Sequence, residues 1–147
     1  MSAETAPGGT ADIRVVLVDD HAGFRAEARL VLEATPGIRV VADAEDAAKA
    51  LVAIETHAPD VAILDLEMPG GDGFALARAI RDRGWGVGLV LLTVHCSDAL
   101  VRKALTSGFG GFVTKERLVE LAPCVSAVQA GRRYVSAPVG RGADMRV

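Results

Sequence analysis

The chain has 147 residues, half of them hydrophobic and 4% aromatic, with a formal net charge of -3. That length fits one domain with its own core, which must be built from aliphatic side chains. The acidic balance gives no basic footprint, so no direct nucleic-acid binding by this chain is expected. No apolar run approaches the ~18 residues that cross a bilayer, so no membrane partner is expected either.

Residues 1–11, with Pro7, Gly8 and Gly9, read as a disordered leader without the basic start and apolar middle of a secretory signal, so the expected location is cytoplasmic. A strand follows at 13–18, Ile-Arg-Val-Val-Leu-Val, and ends in Asp19-Asp20. A helix at 22–34 carries the apolar stripe Phe24, Ala28, Val31 and Leu32, and Pro36-Gly37 closes it. Strand 38–42 and helix 45–57 come next, then strand 60–65, an unbroken apolar run that ends in Asp65. Helix 73–83 stops before Gly84, and strand 87–93 ends in Thr93. Ser97 is positioned to cap a helix at 97–107. Strand 109–114 runs into Lys115, with Phe112 three residues earlier. The last helix spans 117–130, but Pro123 inside it predicts either a start near Leu121 or a kink. After Gly131 the periodicity dissolves, and 132–147 reads as a tail or truncated linker. Cys96 and Cys124 have no metal-ligand spacing and read as free thiols, with Cys96 expected to be buried and inert.

Five strand–helix alternations argue for right-handed crossovers and a parallel sheet covered on both faces. In such sheets the ligand crevice lies outside the carboxyl ends of the strands. Asp19, Asp20 and Asp65 would then share one crevice, where their mutual repulsion calls for a cation. Thr93 and Lys115 end strands that point into the same place. The expectation from the residues alone is a metal site with a carboxylate nucleophile.

Four stretches, in order and each at a predicted strand end, carry a family resemblance: Val18-Asp19-Asp20-His21, Asp65 through Gly73, Leu92-Thr93-Val94-His95, and Gly111-Phe112-Val113-Thr114-Lys115. With them the chain resembles a response-regulator receiver domain of two-component signalling over residues 12–131. The resemblance implies an α/β, flavodoxin-like, doubly wound (βα)5 sandwich with a five-stranded parallel sheet in the order 2-1-3-4-5. It implies that Asp65 accepts a phosphoryl group from a sensor histidine kinase or a small phosphodonor. Mg2+ would be held by Asp19, Asp20, Asp65 and the backbone carbonyl of Glu67. Lys115 would meet a phosphate oxygen and Thr93 would donate its hydroxyl to another. Drawing Thr93 inward would let Phe112 rotate and change the face made by the fourth helix, fifth strand and fifth helix. Glu67 and His95 would flank the phosphoryl group and modulate water access. By the same resemblance the chain is a phosphoacceptor with self-catalysed phosphotransfer and autodephosphorylation, not an enzyme.

The surroundings of His21 and the stretch from Gln129 to Ser136 are most similar to receivers of LuxR-type transcription regulators, which act as homodimers through that face or through helices 1 and 5. A stand-alone receiver acting by protein–protein contacts is the alternative. A Mg2+-dependent haloacid-dehalogenase-like phosphatase is a remote one, because it requires an aspartate where Glu67 stands.

Overall fold

A computed structural model describes residues 12–68 and 71–136. The expected leader at 1–11, the turn residues Pro69 and Gly70, and the part of the expected tail at 137–147 lie outside the described residues.

The five expected strands form as β1 (Ile13–Val18), β2 (Ile38–Ala44), β3 (Val61–Asp65), β4 (Gly88–Thr93) and β5 (Gly111–Thr114). They pair in parallel in the order β2-β1-β3-β4-β5, the doubly wound order the family resemblance implies. A sixth strand, β6 (Tyr134–Ser136), adds to the β5 edge, also in parallel, with Phe112 opposite Val135. It lies within the stretch read as tail. Three residues are too few to show a period, and only burial of Val135 against the sheet reveals the strand. A separate two-stranded hairpin, Glu67–Met68 with Gly71–Asp72, shapes the turn after β3.

The strands are buried on both faces, which explains why they read as continuous apolar runs. Val16, Val18, Leu64, Leu91 and Phe112 face one layer, made by α2 (Ala47–His57), α3 (Gly73–Asp82) and α4 (Asp98–Thr106). Val15, Leu17, Ile63, Leu92 and Val113 face the other, made by α1 (Ala22–Glu33) and α5 (Leu121–Gln129).

Helix starts follow local chemistry. Ser97 accepts from the Leu100 amide at 3.1 Å, as its spacing predicts. Asp46 and Asp72 cap α2 and α3 in the same way, at 2.8 and 2.9 Å. The last helix is shorter than the expected 117–130. Residues Lys115–Glu120 form a 3-10 segment broken at Arg117, and α5 begins at Leu121. Pro123 therefore falls in the first turn, where its missing N–H has no helical partner to lose. Both cysteines are free; Cys124 is buried, and Cys96 is exposed, contrary to the buried thiol expected.

Candidate functional site

The site is the crevice at the carboxyl ends of β1, β3 and β5. Apolar strand residues are locked in the sheet, so the first polar residue beyond each is delivered to its rim. Asp19 follows β1 and is fully buried, Asp65 ends β3 and is 4% exposed, and Asp20 is exposed at the mouth. One carboxylate oxygen from each of the three lies within 4.8 Å of the others.

Lys115, the first residue after β5, closes the group. Its Nζ lies 2.7 Å from Asp19 Oδ2 and 3.4 Å from Asp65 Oδ2, so one ammonium bridges two of the three carboxylates. Burial opposes the charge on Lys115, but the Asp19 hydrogen bond and the two neighbouring carboxylates outweigh it and hold the ammonium pKa above its usual range. For Asp65 the balance goes the other way. Burial first, then the Asp19 charge, push its pKa up to about 6, and Lys115 offsets this only in part. One partly buried ammonium is too little positive charge for this cluster. The chemistry of the donor set, hard carboxylate oxygens converging on a half-open cleft, fits a small divalent cation.

The loop after β1 is held by its own side chains. Asp19 Oδ1 accepts from the His21 amide at 2.8 Å, and His21 Nδ1 accepts from the Phe24 amide at 3.0 Å, so His21 is the N-cap of α1. Arg25 Nη1 donates to the Asp19 carbonyl at 2.6 Å, and its Nε lies 3.7 Å from Asp43 at the end of β2. Across the cleft, Asp65 is fixed from behind by α3: the Gly73 amide donates to the Leu66 carbonyl at 2.8 Å.

The other expected residues take their places around this centre. Thr93 is buried at the end of β4, and its hydroxyl accepts from the His95 amide at 3.0 Å. Glu67 and His95 meet each other on the rim, Oε2 to Nε2 at 2.9 Å, both largely exposed. Phe112 is fully buried within the layer under α3 and α4. The sequence reading placed Phe24 only on the core stripe of α1. Its ring in fact lies under the Lys115 ammonium, 4.7 Å from Nζ to centroid, and lines the cleft of about 720 Å3 together with Asp20, Asp65 and Lys115. Its spacing of four residues from Asp20, one turn into the helix, is the signal that could have found it.

Comparison with known proteins gives the family. The family model for the response regulator receiver domain matches residues 15–123. The chain is 38% identical over 125 residues to the probable transcriptional regulatory protein NarL of Mycobacterium tuberculosis, covering 84% of this chain and 58% of that protein. It is 34% identical over 130 residues to the response regulator UvrY of Escherichia coli, covering 88% and 60%. Among solved structures, a LuxR-family two-component response regulator from Aurantimonas superposes with a TM-score of 0.81 at 36% identity, covering 87% of this chain and 91% of that one. The receiver domain of the putative response regulator NarL from M. tuberculosis gives 0.78 at 37% identity, covering 84% and 100%. The chain belongs to the response-regulator receiver family. It is a receiver domain of the LuxR type, a phosphorylation-dependent signalling switch of two-component systems. The chain spans about 60% of the length of the curated relatives it matches.

Proposed function

We propose that Asp65 is the phosphoacceptor and that Asp19, Asp20, Lys115 and Thr93 serve its reaction. The observation that carries this reading is the convergence of three carboxylates within 4.8 Å, two of them bridged by the Lys115 ammonium. In the metal-free cleft Asp65, its pKa raised to about 6, is still mostly ionised at neutral pH, and the carboxylate is the form that attacks. An Asp65 oxygen attacks phosphorus, the bond from phosphorus to the donor nitrogen or oxygen breaks, and the leaving group keeps the electron pair. The product is an acyl phosphate.

Asp19, Asp20, Asp65 and the Glu67 backbone carbonyl would hold Mg2+, which when bound supplies positive charge to the transferring phosphoryl oxygens. Lys115 meets one phosphoryl oxygen, and the Thr93 hydroxyl turns from the His95 amide to donate to another. That turn vacates space into which Phe112 can rotate and biases the face formed by α4, β5 and α5 between two states. The donor is a sensor histidine kinase, and the readout, by analogy with the names of the relatives, is transcription in the cytoplasm, with a homodimer made through that face or through α1 and α5.

The test is incubation with acetyl phosphate, with and without Mg2+, followed by intact-mass measurement. One added phosphoryl group, dependent on metal and located on Asp65, is the expected result. A protein that stays unlabelled would overturn the reading, and sustained hydrolysis of phosphate esters would favour the phosphatase alternative.

The rim pair has its own expected outcome. Anionic Glu67, held by His95 beside the phosphoryl position, disfavours an incoming water. Glu67→Asn should therefore shorten the phosphorylated half-life by about threefold, the effect of a ~0.7 kcal/mol electrostatic contribution. An unchanged or longer half-life, timed by loss of the acyl phosphate, removes that role.

A further inference from the structure

We propose that Phe24 is a positioning residue for Lys115, its ring face holding the ammonium in reach of both Asp19 and Asp65. The inference rests on the reading of Asp65 as phosphoacceptor and extends it to a residue on α1 that bears no charge.

Lysine ends in a point charge on a flexible four-carbon stem, with three donors and no fixed fork. Here the ammonium has an unequal choice. Asp19 Oδ2 is close at 2.7 Å and fully buried, whereas Asp65 Oδ2 is 3.4 Å away. With nothing else beside it, the ammonium would settle on Asp19 and be poorly placed for phosphorus chemistry at Asp65. The Phe24 ring, 4.7 Å from Nζ, is a third contact. An aromatic face attracts a cation over its whole area, not along one bond direction. The ammonium can therefore move from carboxylate to phosphoryl oxygen without losing that attraction.

Phe24 is itself well placed for the task. Its backbone amide is bound to His21 Nδ1, and the His21 amide is bound to Asp19 Oδ1, so ring and metal-binding loop are fixed to each other. Gly23 lets the His21 ring lie close: a Cβ there would stand 3.2 Å from His21 Cε1. The ring lines the cleft it shares with Asp65 and Lys115, and is only partly buried. If Phe24 only filled space, any side chain of that bulk would serve equally.

The experiment separates electrostatics from bulk. Phe24 is replaced by 4-fluoro- and then 3,4,5-trifluorophenylalanine, which drain the ring face of negative charge with little change in size. The rate of labelling by acetyl phosphate with saturating Mg2+ is followed by intact mass. The rate should fall stepwise, by about fivefold for the trifluoro ring. Phe24→Tyr should stay near the parent rate and Phe24→Leu should match the trifluoro protein. A rate that is flat across the fluorinated series would overturn the inference while leaving the phosphoacceptor reading intact. An unlabelled parent protein would overturn that reading and this inference with it. Should Phe24→Leu fail to fold, the fluorinated series alone decides.

Discussion

Asp65→Asn should abolish phosphoryl uptake and at the same time make the metal-free protein more stable at neutral pH. The first effect follows from removing the nucleophilic oxygen. The second follows from linkage. Burial and the Asp19 charge raise the Asp65 pKa from 3.8 to about 6 in the folded protein. Between those values the folded state binds more protons than the unfolded state, so stability falls as pH rises from about 4 to about 6 and stays low above. A shift of some two pK units corresponds to a loss of about 3 kcal/mol. Asparagine is neutral at every pH and avoids that loss, so the variant should gain about 2–3 kcal/mol at pH 7.5 in the presence of a chelator. Saturating Mg2+ reverses the comparison, because a cation that binds only the folded state stabilises it by mass action, and the parent binds it better. Urea denaturation with chelator and with Mg2+ reads both signs. A variant less stable than the parent in chelator would mean that the carboxylates do not repel one another as the geometry requires.

Gly73→Ala should damage fold and site together. A Cβ at Gly73 would stand 2.7 Å from the Asp65 carbonyl oxygen and 3.2 Å from Leu66 Cα. Both are backbone atoms, so no side chain can turn aside to make room. Either α3 retreats, breaking the 2.8 Å hydrogen bond from the Gly73 amide to the Leu66 carbonyl, or the end of β3 moves and takes Asp65 with it. Overpacking of this kind costs about 1–3 kcal/mol. The urea midpoint should drop accordingly, and the rate of acetyl phosphate labelling should fall at least about tenfold, since a displacement of ~1 Å at a reacting group can cost 100-fold. By contrast, alanine at Gly86, where a Cβ would meet nothing within 4 Å, should leave both measurements near the parent.

The contrast between these two glycines marks what could be read from the sequence. Strands 13–18 and 60–65 announced themselves because both faces are buried and the first carboxylate ends the run, so Asp19, Asp20 and Asp65 were legible as one crevice. Ser97 was legible as a cap because the interaction spans three residues. The 3-10 segment from Lys115 to Glu120 was hidden by its helix-like composition, and only Pro123 hinted that α5 starts late. Strand β6 depends on pairing with β5, some twenty residues earlier in the chain, and leaves almost no local trace. The contact between Phe24 and Lys115 joins residues from opposite ends of the domain, α1 and the end of β5. Hydrophobic periodicity assigned Phe24 to the core because one ring can serve packing and electrostatics at once.

The sixth strand also bears on how the molecule is best handled. Val135 is wholly buried, and β6 covers the outer backbone of β5, the strand that delivers Lys115. A shortened chain ending at Gly131 would strip that cover and bare a row of amide and carbonyl groups on a buried strand. Such borders recruit a second copy. Self-association seen only in a trimmed version would then report the bared β5 edge.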